Sequence, residues 1–164
     1  MPEMKGSIDL VDQGASPGPV PVLGPDEAVE VLRDARRVAV VGASPNPWRA
    51  SHSVMDYLMS HGFECVPVNP HAATVLGQPC FPSLELAVAG TGGQPFDIVD
   101  VFRRPEHAPA IARSAVSLGC RTLWLQLGIV DWDAARIAHE GGLKVVMDRC
   151  TAVDHRRLRA SSSA

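Results

Sequence analysis

Aliphatic residues along this chain gather into five short runs, over 37–42, 64–69, 97–102, 122–126 and 144–148. Each run is rich in Val, Ile or Leu and lacks strict polar alternation, the pattern of parallel strands covered on both faces. Between them, 51–61, 83–89, 106–118 and 132–139 carry apolar positions at helical spacing. One more short helix leads into the first run. Pro25 suits its first turn, Asp26, Glu27 and Glu30 suit its dipole, and Val29 and Leu32 share one stripe. Strand and helix therefore alternate, which predicts an α/β fold: an open, doubly wound, mostly parallel sheet of about five strands between two helical layers, with right-handed crossovers.

The 164 residues form one domain on this reading. Residues 14–24 are rich in Gly, Pro and Ser with little to bury, so 1–24 is expected to be a flexible arm, 25–158 the folded domain and 159–164 a disordered tail. A net charge of -3 gives no global attraction to nucleic acid or anionic lipid, and an aromatic content of 5% disfavours a base-stacking surface. Cys65, Cys80, Cys120 and Cys150 are far apart and form no Cys-x-x-Cys or Cys/His cluster, so reduced thiols are expected, without zinc or disulfides. No apolar run approaches the roughly 20 residues that span a bilayer. The expectation is a soluble, cytoplasmic protein.

In such sheets ligands lie beyond the carboxyl ends of the strands, near the point where strand order reverses. Those ends collect Gly42-Ala43-Ser44, Val68-Asn69-Pro70, Phe102-Arg103-Arg104, Gln126-Leu127-Gly128 and Asp148-Arg149-Cys150. The first turn suits an anion. Gly42 allows close backbone approach, Ser44 offers a hydroxyl, the next helix aims its N-terminus at the crevice, and Arg49 supplies a bidentate cation. A dinucleotide fingerprint would place two more glycines where Ser44, Pro45, Asn46 and Pro47 stand. The second strand also ends in Asn69-Pro70-His71, without the acidic residue that usually holds an NAD ribose. Both departures count against an NAD dehydrogenase and leave an NADP-dependent oxidoreductase as an alternative.

With these residues in order, the chain resembles the small stand-alone CoA-binding domain proteins, relatives of the N-terminal domain of succinyl-CoA synthetase alpha subunits. The resemblance covers about 37–158. It is carried by "VAVVGASPNPWRASHSVMDYL", "VPVNP", "LGQPCFPSL", "DIVDVFRRPE", "TLWLQLGI" and "GLKVVMDRC". It implies a Rossmann-like fold binding coenzyme A or an acyl-CoA along the carboxyl edge; the roles expected for such a chain are a non-catalytic carrier, sensor or regulator, or the CoA-binding subunit of a multi-chain acyl-CoA ligase. A partner protein in thioester metabolism would follow from the last role.

By position, the resemblance places Gly42, Ala43 and Ser44 around the diphosphate with Arg49 nearby, and Val68, Asn69 and Pro70 along the nucleotide pocket; Asn46, on the same loop, is also expected to bind the cofactor. Phe102 and Arg103 would meet adenosine and phosphate; Gln126, Leu127 and Gly128 would flank the pantetheine arm. Cys150 has two readings: a thiol activated by Arg149 that exchanges with the CoA thiol, or an inert small residue. Trp48 either stacks on adenine or caps the core. Thr151 stands where the family often has proline, which bears on the path of that last loop. No nucleophile, base and oxyanion donor converge in the sequence, so binding without catalysis is expected.

Overall fold

A computed structural model describes residues 20–163 of the chain. Five strands, β1 (Arg37–Val41), β2 (Glu64–Val68), β5 (Ile98–Val101), β6 (Thr122–Leu125) and β7 (Lys144–Val146), form one sheet in the order β2-β1-β5-β6-β7. Every pairing within it is parallel. The helices are α1 (Pro25–Asp34), α2 (Ala50–Ser60), α3 (Leu84–Gly90), α4 (Ala108–Ser117), α5 (Trp132–Glu140) and α6 (Thr151–Ser163). This is the Rossmann-like α/β arrangement that the alternation predicts.

Side-chain parity divides the core. Val38 and Val40 of β1 join a cluster with α1, α2 and α6, whereas Ala39 and Val41 join one with α3, α4 and α5. Both faces of this interior strand are thus dry, as its unbroken aliphatic run requires. Each fully buried Val or Leu contributes roughly 1.5–3 kcal/mol relative to exposure. Trp124 is fully buried at the centre of β6, and its indole N–H donates to the Arg149 carbonyl at 2.8 Å, which ties the sheet to the start of α6.

Helix starts follow local chemistry. Glu27 reaches back to accept the Gly24 N–H at 2.8 Å ahead of Pro25, Ser83 caps α3 through the Leu86 N–H, and Asp131 caps α5 through the Ala134 N–H at 2.8 Å.

Three features depart from the expectations. A small antiparallel hairpin, β3 (Thr74–Val75) with β4 (Gln78–Pro79), follows β2 and stands outside the main sheet. The chain after β7 is helical through Ser163, so the segment from 159, expected as a disordered tail, continues α6. Of the expected N-terminal arm, residues 1–19 lie outside the described residues, while its last residues dock: Val20 is buried and the Leu23 N–H donates to the Val145 carbonyl at 2.8 Å.

Candidate functional site

The chain leaves β1 toward β2 on one side and later returns to place β5 on the other, so strand order reverses at β1. At the carboxyl ends of β2, β1 and β5 lies a cavity of about 380 Å³. This is where an open parallel sheet receives ligands. Gly42, Ala43, Ser44 and Arg49 line it from the β1–α2 loop, Val68, Asn69 and Pro70 from the end of β2, and Phe102 and Arg103 from the end of β5.

Short polar side chains build this cradle. The Ser44 hydroxyl accepts the Asn46 N–H at 3.1 Å, and Asn46 Oδ1 accepts the Trp48 N–H at 3.0 Å. Two successive side-chain turns therefore steer the loop past Pro45 and Pro47, which have no N–H to offer. From β2, Asn69 Nδ2 donates to the Ala43 carbonyl at 2.7 Å and its Oδ1 accepts the His71 N–H at 2.8 Å. Asn69 thus fastens two rim loops together and fixes where His71 begins.

Gly42 has φ +92°, a conformation that favours glycine. It lets the Arg103 side chain pack directly against the β1 turn.

Electrostatically the cavity is one-sided. Arg49, Arg103, Arg104, His71 and His107 line it, and no carboxylate among the described residues does. The α2 N-terminus opens here as well: no side chain caps it, and its first turn has no acidic residue to neutralise the dipole. Arg104 and His71 stand at strand ends that the sequence already collects, whereas His107 is not signalled as a rim residue. A single 3-10 turn over Pro105–His107 brings His107 back toward the cavity. Its signal in the sequence is the proline just after the two arginines, which forces a turn immediately beyond β5.

The other expected site residues lie apart from this cavity. Asn46 is exposed and acts through the loop bonds just described. Leu127 is 71% exposed on the rim after β6, and the Gly128 N–H donates to Asp148 Oδ1 at 2.7 Å. Cys150 is half-buried against the α1/α2/α6 core. The Arg149 guanidinium turns away to make two 2.7 Å bonds to buried Asp154, so its charge serves an internal ion pair. Trp48 is 92% exposed, which removes it from the core.

Gln126 points inward. It is buried, and its Oε1 accepts both the Thr151 N–H at 3.0 Å and the Thr151 hydroxyl at 3.1 Å. The same hydroxyl lies 3.0 Å from Oδ2 of Asp100, which is fully buried with Oδ1 unpartnered. One hydroxyl proton cannot serve two acceptors. Burial pushes the Asp100 carboxyl up to about 8, against the opposing pull of the Thr151 bond. A protonated Asp100 completes the chain by donating to Thr151, which donates to Gln126. Proline at position 151 would supply neither proton, so threonine here belongs to an internal lock between β5, β6 and α6.

Among the described residues no group of three His, Cys, Asp or Glu side chains could hold a metal ion, and no helix is long and apolar enough to cross a membrane.

Comparison with known proteins agrees with the geometry. The family described as a CoA binding domain matches residues 36–156. YneT, an uncharacterized protein of Bacillus subtilis (strain 168), is 38% identical over 129 residues, covering 79% of this chain and 92% of its own. The crystal structure of Prb, the PH1109 protein redesigned for binding, shares 35% identity over 86% of this chain and 96% of its own, with a TM-score of 0.77. An acetyl-coenzyme A synthetase from Ca. Korarchaeum cryptofilum shares the fold alone, at 20% identity and a TM-score of 0.60 over 73% of this chain and 28% of its own. With the family match spanning most of the chain and a cation-lined cavity at the strand switch, this protein belongs to the CoA binding domain family.

Proposed function

We propose that this protein binds coenzyme A, or an acyl thioester of it, along the carboxyl rim, and serves as a carrier, sensor or regulatory module without catalysis of its own. The observation that carries the reading is the cavity at the β1 switch point, lined by three arginines and two histidines with no carboxylate among the described residues. Coenzyme A brings several phosphates and a long, mostly uncharged arm. The backbone from Gly42 to Ser44 and the uncapped α2 N-terminus suit its diphosphate, while Arg49, Arg103 and Arg104 are placed for the remaining anionic oxygens. Each charge-assisted contact is worth about 1.5–3 kcal/mol and the helix terminus about 0.3–1, so a few suffice for micromolar affinity, near -8 kcal/mol. Leu127 and Gly128 on the adjoining rim, with Cys150 beyond, suit the arm. The cofactor's own chemistry is to carry an acyl group on its thiol.

The test is thermal unfolding with and without CoA, together with titration calorimetry at low and high salt. Saturable stabilisation by CoA is expected. Arg49 is exposed, so Arg49→Ala should leave the unliganded melting temperature unchanged and weaken CoA binding about tenfold at low salt, the gap narrowing as salt rises. Equal melting temperatures with and without excess CoA would sink the proposal. A response to NADPH alone would favour a hydride-transfer role instead.

A further inference from the structure

A second basin, of about 360 Å³, lies at the opposite end of the sheet, where the chain enters β1 and β2. α1, the end of α2 and α6 enclose it. Leu32, Ala35, Phe63 and Leu158 form a buried apolar floor, and the imidazoles of His61 and His155 stand beside it.

Those two rings are held in place. His61 Nδ1 donates to the Tyr57 carbonyl at 2.8 Å, and the ring stacks on Tyr57 with centroids 4.0 Å apart. His155 is 8% exposed; its Nδ1 lies 3.0 Å from the Tyr57 hydroxyl, and its ring meets His61 and Phe63 edge-on at 5.4 and 5.3 Å. In both rings Nδ1 is engaged, and neither Nε2 has a hydrogen-bond partner among the described residues.

The lining of the basin is cationic. Arg33, Arg36 and Arg159 line it, and no carboxylate among the described residues does. Arg33 is satisfied by Glu30 at 3.0 Å, whereas the Arg36 guanidinium has no ion-pair partner among the described residues. Burial, His61 and Arg159 together press His155 toward its neutral form. An anion would give the exposed Arg36 guanidinium a partner beside the His155 edge, and an apolar plate would cover the floor. A volume of this size lies within the range of small-molecule pockets.

We propose that this basin is a second ligand site for a small anion with a flat apolar body, an aryl phosphate in class, with the anionic end on Arg36 and the His155 edge and the ring on the Leu32–Phe63–Leu158 floor. The site is independent of the rim, because the full length of β1 and β2 separates them.

The experiment is an NMR titration of the isotope-labelled full chain with phenyl phosphate, and in parallel with inorganic phosphate. Backbone amides of 32–36, 61–63 and 155–162 should shift saturably, with phenyl phosphate at least about tenfold tighter than inorganic phosphate because only it covers the floor. Arg36→Ala should weaken phenyl phosphate about tenfold and leave the CoA titration unchanged. His155→Phe keeps the ring volume, removes Nε2 and should weaken it similarly; should that variant not fold, exposed Arg36 still decides. No movement at these amides would overturn the proposal. So would movement confined to the rim, or shifts that appear on raising protein concentration alone, which would make the basin a contact between copies. A failed CoA titration would leave this result standing, since the two ligands are read at different amides.

Discussion

The aliphatic stem of Arg103 occupies the space that a side chain on Gly42 would need: an added Cβ would lie 3.0 Å from Arg103 Cδ and 3.3 Å from its Cγ. β1 and β5 are neighbours, so the glycine that turns the first loop also sets where the β5 arginine rests. Cradle and cation are therefore one construction.

Gly42→Ala should consequently cost more than backbone strain. The φ of +92° penalises any L side chain by about 1–2 kcal/mol, and displacing Arg103 should weaken CoA binding about tenfold in addition. Gly128 provides the control. Its φ is +87°, yet nothing lies within 4 Å of an added Cβ. Gly128→Ala should lose similar stability in urea unfolding with a much smaller loss of CoA affinity. Equal affinity losses in the two variants would separate Arg103 from the site.

The buried Asp100–Thr151–Gln126 chain makes stability depend on pH. Folded, the Asp100 carboxyl titrates at about 8; unfolded, it returns to the ordinary range near 3.8. Between these values the folded protein holds a proton that the unfolded chain has released. The contribution is therefore fully present below pH 4, falls by up to about 1.4 kcal/mol per pH unit as pH rises, and is gone above about 8. Urea unfolding at pH 5, 6, 7 and 9 should show this slope as the difference between the natural chain and Asp100→Asn, which carries no ionisable group there. Thr151→Val keeps the N–H bond to Gln126 and removes the hydroxyl, at a cost of about 1–3 kcal/mol. A pH-independent difference would mean that Asp100 is ionised in the folded state.

Much of this architecture is legible from hydrophobic pattern, because β1, β2, β5, β6 and β7 are covered on both faces and leave largely aliphatic runs, with Asp100 a buried polar residue within β5. The exceptions have physical causes. α6 buries Thr151, Asp154 and His155 alongside Ala152 and Leu158, so its inward stripe is partly polar and hydrophobic periodicity does not register it. In the β3–β4 hairpin, Leu76 takes φ +52° next to Gly77 at +76°, a two-residue turn usually signalled by Asn-Gly or Asp-Gly. At the site, strand ends located the rim, since the topology alone fixes them. Whether a rim side chain faces the cavity or the interior is a matter of parity and packing: Gln126 follows Trp124 on the α6 side and is used there. His107 reaches the cavity only through a 3-10 turn that no periodicity announces.

Trp48 provides a direct optical test of where the nucleotide lies. It is 92% exposed on the loop that follows Gly42, whereas Trp124 is fully buried and Trp132 half-buried, so the red edge of the emission belongs to Trp48. An indole left this open on the β1–α2 loop contributes nothing to the core, and Trp48→Phe should not change the melting temperature. If adenine stacks on it, saturating CoA should quench that red component, and Trp48→Phe should abolish the change while weakening affinity two- to tenfold, the worth of about 0.5–1.5 kcal/mol for an aromatic pair. A CoA-induced change that persists in full in Trp48→Phe would move the adenine elsewhere along the rim, leaving the diphosphate cradle at Gly42 to be judged by the alanine pair alone.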